Sequence, residues 1–184
     1  MPESVKRTRI LAAADTLLMK HGLRGTSMEA IAKAAGIAKP TLYAYYPDKD
    51  AVFTALAERL IHGWRLDFLA VLRGDGDIIG RVGAALTAKY KGAMQLLAGS
   101  PHAGELYGGN DRIFGPRIRG YDNELLAALE AEINDAGIAR ARFLAQLLLA
   151  SASGIGQKAQ SPAELGPALR LIAERLIRPE LPSR

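Results

Sequence analysis

Apolar residues recur along this chain every three to four positions, the period of a helix that buries one face. In the first such stretch Ile10, Ala13, Ala14, Leu17 and Leu18 fall on one side. That predicts a helix over about residues 5–20, closed by His21 and Gly22. A short second helix follows, capped by Thr26 or Ser27, with Met28, Ile31, Ala32 and Ala35 facing inward and Gly36 as its stop. The third starts near Lys39, with Pro40 in a first turn that has no use for its missing N–H, and ends before Pro47. Asp48 then caps a long helix to about Leu72 that buries Val52, Phe53, Leu56, Leu60, Ile61, Trp64 and Phe68.

Residues 73–77, Arg-Gly-Asp-Gly-Asp, interrupt the pattern. Beyond them helices are predicted at about 78–98, 102–108, 113–135 and 139–157, with a glycine-rich loop at 107–111. The last helix opens at Ser161 and ends near Arg178, with Pro162 in the first helical position and Glu164 in capping-box register. Strand-type alternation is absent, so the predicted fold class is all-α.

Composition narrows this picture. The chain has 184 residues and no cysteine, which excludes disulfides and thiolate metal sites. His21, His62 and His102 lack the spacing of a metal site, so no metal and no cofactor is expected. No apolar run reaches the roughly 18–20 residues of a membrane span, and the N-terminus lacks a signal-type apolar core. These features predict a soluble, cytoplasmic protein with no membrane association. Net charge is +5, and residues 1–50 hold more than half of it, with eight Lys or Arg against five Asp or Glu. Such a bias permits nucleic-acid binding without requiring it.

Residues 27–46 have the layout of a helix-turn-helix: a two-turn helix with small residues at Ala32 and Ala35, a glycine turn at Gly36, then a second helix at once. In such a unit the second helix enters the major groove of DNA, and its first residues meet bases and phosphates. That explains the segment Gly-Ile-Ala-Lys-Pro-Thr-Leu-Tyr-Ala-Tyr-Tyr at 36–46. Lys39, Pro40 and Thr41 form the turn aimed at the duplex. Leu42 is the core contact and Tyr46 is expected beside it, partly buried. Tyr43 and Tyr45 project outward, where phenolic hydroxyls reach phosphates, and Ala44 stands at a position that can face bases. Lys49, at the start of the next helix, adds a cation.

The stretch from residue 8 to 53 resembles the DNA-binding region of TetR/AcrR-type transcriptional regulators. Gly25, Thr26, Ser27, Ile31-Ala32, Ala35-Gly36-Ile37, Lys39, Leu42-Tyr43, Tyr45-Tyr46, Lys49 and Val52-Phe53 match that pattern without a gap. Ala38 stands where a capping serine is usual, and Pro40 where a small residue is common. The resemblance implies a DNA-binding domain over 1–50, with Thr26 and Ser27 among its contacting residues, and a helical ligand-binding and dimerisation domain over 51–184. It implies that the last two long helices pair across a two-fold axis. The residues assigned to that interface are Phe143, Leu147, Ala150, Gly154, Leu169, Ile172, Ala173 and Leu176. Trp64, Phe68, Tyr90, Met94, Tyr107 and Phe114 are candidates to line a small-molecule cavity, and each equally fits ordinary core. The expected function is a homodimeric repressor that binds a palindromic double-stranded DNA operator and is released by a small-molecule effector. Two alternatives stand beside it. One is an enzyme on a helical scaffold, against which no nucleophile–base pair or carboxylate dyad stands out; the other is a helical protein that binds DNA without sequence preference.

Overall fold

A computed structural model describes residues 3–98, 101–102 and 112–182. They form eight α-helices: α1 (Glu3–Gly25), α2 (Met28–Ala34), α3 (Lys39–Tyr45), α4 (Lys49–Leu72), α5 (Ile78–Ala98), α6 (Phe114–Asp135), α7 (Ala141–Lys158) and α8 (Pro162–Ile177). A 3-10 turn, Arg178–Glu180, follows α8. The all-α fold expected from the periodicity is what the chain adopts, with no strand among the described residues. None of the helices is long and apolar enough to cross a membrane among the described residues. The helix predicted near 102–108 falls, from residue 103 on, outside the described residues, as do the loop at 107–111 and Tyr107.

Helix ends follow local chemistry. α1 is broken at Gly22, whose φ of 69° is a conformation that side chains with a Cβ avoid. Asp48 accepts from the Ala51 N–H at 2.7 Å and caps α4, and Asp77 does the same for Gly80 at the start of α5, also at 2.7 Å. After α6 the Ile138 N–H reaches back to the Ile133 carbonyl at 3.4 Å, the closure expected of Asn-Asp-Ala-Gly. The capping box expected at α8 is altered. The Ser161 hydroxyl bonds the Glu164 carboxylate at 3.1 Å, leaving no cap bond to the backbone, while Glu164 still accepts from the Gln160 N–H at 3.0 Å.

The chain packs as two compact units, Met1–His62 with Leu97–Arg119, and Gly63–Leu96 with Gly120–Arg184. The first has a core of Ile10, Ala14, Leu18, Ile31, Leu42, Val52, Phe53 and Leu56, joined by Ile113 and Phe114. This division differs from the boundary expected after residue 50. Val52, Phe53, Leu56 and Ala57 are fully buried in the N-terminal core, so the first turns of α4 belong with the helix-turn-helix. In the second unit Arg81 ties three elements together. Its Nη1 donates to the Leu72 carbonyl at 3.0 Å and to Glu132 at 2.8 Å, and Arg73 meets the other Glu132 oxygen at 3.4 Å. In the same unit α7 buries Ala141, Leu144, Ala145, Leu148 and Ala152, and α8 buries Leu165, Gly166, Leu169, Ala173 and Ile177.

Candidate nucleic-acid interface

The site begins with the turn between α2 and α3. Ser27 adopts an extended conformation and its hydroxyl accepts from the Ala30 N–H at 3.2 Å, so the first turn of α2 is capped. Met28, Ile31, Ala32 and Ala35 are all buried, as their spacing predicts. Gly36 takes φ 61° and turns the chain, and the Ile37 N–H closes on the Ala32 carbonyl at 3.0 Å. A Cβ at Gly36 would fall on the Arg9 guanidinium, so the glycine also leaves room for α1.

α3 starts without a side-chain cap, because Ala38 has none to offer, and Pro40 sits in its first turn. Leu42 is its buried residue at 0% exposure, and Tyr46, at 6%, completes the anchor from the C-terminal end. The opposite side faces solvent. Ser27, Lys39, Pro40, Tyr43 and Ala44 are exposed, and Thr41 and Tyr45 are half-buried. The segment at 36–46 therefore presents part of the surface its pattern predicts, Leu42 and Tyr46 in and Tyr43 out, but Tyr45, expected to project outward, is half-buried and packs against the core.

Two of the expected contact residues stand elsewhere. Thr26 is buried at 2%, and its hydroxyl donates to the Gly22 carbonyl at 2.8 Å, bridging the break in α1. It has no surface to give a ligand. Lys49 is half-buried and donates its ammonium to the Leu23 carbonyl at 2.8 Å. It joins the end of α1 to the start of α4, a structural duty that the local pattern does not suggest.

Three charged residues outside the expected set complete the surface. The Arg7 guanidinium carbon lies 5.6 Å from the Tyr45 ring centroid and 6.0 Å from that of Tyr46, so α1 lays a cation along the aromatic side of α3. Arg9 covers Gly36. Glu29, in the first turn of α2, pairs with Lys39, whose ammonium also lies 5.8 Å from the Tyr43 ring centroid. The Lys39 hydrogen bond, more than its charge, holds the Glu29 carboxyl below the usual range, and the same bond raises Lys39. The basic run Lys6-Arg7-Thr8-Arg9 is the available signal for the two arginines. The Glu29–Lys39 pair, ten residues apart across a turn, has none.

The second unit holds Trp64, Phe68, Tyr90 and Met94 of the proposed cavity set. Trp64 and Tyr121 rings lie 6.4 Å apart, and the Tyr121 hydroxyl donates to the Trp64 carbonyl at 3.4 Å. Lys89 pairs with Asp122 at 2.9 Å and lies over the rings of Tyr90, at 4.6 Å, and Tyr121, at 5.5 Å. Burial, then the Asp122 charge, pushes the Tyr121 phenol well up. Phe114 is not in this group: it is fully buried in the core of the first unit. The proposed interface residues also divide. Phe143, Ala150 and Gly154 are exposed, and Leu147, Ile172 and Leu176 are half-buried. Leu169 and Ala173 are at 0% exposure, part of the protein's own core, with Ala173 close against Gly83 of α5.

Comparison with known proteins agrees with this geometry. Residues 10–56 match the model of the bacterial regulatory proteins, tetR family. The HTH-type transcriptional regulator EthR of Mycobacterium tuberculosis is 43% identical over 53 residues, 29% of this chain and 24% of EthR. RutR of Escherichia coli, another HTH-type transcriptional regulator, is 33% identical over 110 residues, 53% of this chain and 51% of RutR. The chain thus spans about half, or less, of the length of these curated relatives. The structure of a TetR/AcrR-family transcriptional regulator from Thermobifida fusca superposes with a TM-score of 0.73 at 21% identity, over 91% of this chain and 96% of that one.

Proposed function

We infer that this chain, a TetR-type regulator by its N-terminal match and its fold, is a homodimeric repressor that a small molecule releases from a palindromic operator. The observation that carries the reading is the division of α3 into a buried side at Leu42 and an exposed side at Lys39, Pro40, Tyr43 and Ala44. Only a helix held from behind can offer its first turn to a groove. Lys39 and the Tyr43 hydroxyl are suited to phosphates, which position the protein, and Ala44 contributes apolar contact at most.

A dimer follows from the size of the reading surface. One recognition helix reads a few base pairs, too few to discriminate among the competing sites of a genome. Two heads on a two-fold axis engage half-sites about 34–36 Å apart, or a multiple of that. The outward face of α7 supports such pairing: Phe143 is 52% exposed, and Leu147, Ala150 and Gly154 follow it at helical spacing. On α8 the matching outward residues are Leu171, Ile172 and Leu176. Leu169 and Ala173, being core, drop out of that assignment.

α4 contributes Lys49–His62 to the first unit and Gly63–Leu72 to the second, so it is the proposed lever between effector and reading head. Trp64, Phe68, Tyr90 and Met94 are the residues proposed to meet the effector, in a cytoplasmic protein that needs no cofactor.

Selection of bound sequences from a random duplex pool, with and without candidate metabolites, tests this reading. The expected result is a two-fold symmetric consensus that a metabolite abolishes. Recovery of no consensus would leave a protein that binds DNA without sequence preference, and the repressor reading would fall.

A further inference from the structure

We propose that Glu29 is a built-in competitor for Lys39: it holds the first lysine of the recognition helix in an ion pair that a DNA phosphate must displace, and so weakens binding to duplex of any sequence. The proposal rests on the DNA-binding reading given above. Its starting point is placement. The Ser27 cap sets Glu29 in the first turn of α2, and the turn at Gly36 brings Lys39, first residue of α3, back alongside it. The two side chains are in direct contact. Lys39 therefore does not wait for DNA as an open cation.

The pair is exchangeable. Its side chains are 51% and 60% exposed, so water and salt reach both, and an exposed pair of this kind is weak. A phosphate can win Lys39 from Glu29, but the exchange leaves a carboxylate beside a phosphate. Like charges facing across an interface oppose binding. The Tyr43 ring, on the exposed side of α3, lies 5.8 Å from the Lys39 ammonium. Within the pair each charged form is favoured by the bond to the other, which sets Glu29 low and Lys39 high.

Salt dependence gives the pair a signature. A lysine that neutralises a phosphate releases condensed counterions, and each such contact contributes about 0.9 to the slope of log affinity against log salt. A lysine already neutralised by Glu29 contributes less. Removing the Glu29 charge should restore the missing share.

The test uses the full chain and a fluorescent mixed-sequence duplex, with affinity read by anisotropy over a salt series. Glu29→Gln keeps the size and a hydrogen-bond acceptor while removing the charge. It should tighten binding about twofold to fivefold at low salt, the range of an exposed ion pair, and steepen the slope by up to about 1. In a Lys39→Met background the same substitution should leave the slope unchanged and give a smaller gain in affinity, the share that comes from relief of the carboxylate–phosphate repulsion alone. An unchanged slope and affinity in Glu29→Gln would overturn the proposal, as would an equal gain with Lys39 absent, which would mean simple loss of surface negative charge. Glu29→Ala provides a second variant, and the melting temperature of each establishes that it is folded. Wild-type protein that binds no duplex at any salt would sink the DNA-binding reading itself, a result distinct from either of these.

Discussion

Leu42→Ala asks whether one buried side chain holds the recognition helix in place. α3 has seven residues, far below the roughly 12–15 at which an isolated helix becomes marginal in water. Its persistence therefore depends on packing, and Leu42, at 0% exposure, is the residue it buries. Leu→Ala at a fully buried position costs about 3 kcal/mol, the lost transfer energy plus the cavity left behind. For a chain of this length each kcal/mol lowers Tm by about 2–4 °C, so a fall of roughly 6–12 °C is expected. The loss should be local first. Amide exchange in residues 39–46 should accelerate more than in α7, and affinity for duplex should fall with it, because an unanchored α3 presents no ordered surface. Tyr43→Ala is the matched control: its side chain is 43% exposed, so stability should move by no more than about 0.5 kcal/mol while DNA affinity drops. Thermal melts by circular dichroism and hydrogen exchange read both variants. A Leu42→Ala protein with unchanged exchange across 39–46 would refute the reasoning, for it would show that α3 is held by something other than Leu42.

Lys49→Met should lower stability by about 1 kcal/mol through loss of the bond to the Leu23 carbonyl, and leave the salt slope of DNA binding as it was; a slope reduced by about 1 with Tm intact would make Lys49 a phosphate contact after all. Asp15 has a raised pKa because burial outweighs the opposing Arg59 charge, so in the folded protein its ionised form is disfavoured. The stability this group provides is whole below its unfolded pKa and is lost as pH rises through the folded one. Asp15→Asn should therefore raise Tm at pH 7 and lose that advantage toward pH 4; an equal or lower Tm at pH 7 counts against it. Ala150→Glu, on the exposed side of α7, should give folded monomers in sedimentation that bind a symmetric site no better than half of one. Persistence of the dimer would move the interface elsewhere. The same charge at Ala173 tests nothing about pairing, since that residue is core and the chain would lose its fold.

The helices and their caps are legible in the sequence because they depend on near neighbours. Ser27, Gly36, Pro40 and Asp48 act within three or four residues of themselves, and the apolar spacing of Met28, Ile31, Ala32 and Ala35 predicts each burial. Contacts over longer separations leave no such trace. Lys49 looks like a DNA-facing cation until the Leu23 carbonyl, 26 residues earlier, is seen beneath it. Arg7 is one cation in a basic run until α1 brings it over Tyr45. Sidedness is hardest to read where the apolar face of a helix is broad. On α8 Ala168, Leu169, Leu171, Ile172, Ala173 and Leu176 spread over several sides, and spacing leaves the buried one undetermined. The expected interface accordingly takes in Leu169 and Ala173, which the protein keeps for its own core. On α7 Arg142 and Gln146 mark the exposed side, and Phe143, Ala150 and Gly154 are exposed with them.

Phe114 ties the reading head to a distant part of the chain. The residue is fully buried in one core cluster with Ile10, Leu18 and Phe53, about 60 positions after Phe53 in sequence. On the proposed reading, a recombination event that exchanged residues 1–50 for another head would remove Ile10, Leu18, Ile31 and Leu42 from the cluster that holds Phe114 and leave Phe114 behind. A misfitted aromatic in a core costs about 1–3 kcal/mol when too large, and an unfilled site about 3–5 kcal/mol when the aromatic is missing. Either loss is a substantial part of what keeps a domain folded. On the proposed reading, new DNA specificities are therefore reached by substitution on the exposed side of α3, at Pro40, Tyr43 and Ala44, more readily than by exchange of whole heads. The head evolves in place, tethered to residue 114.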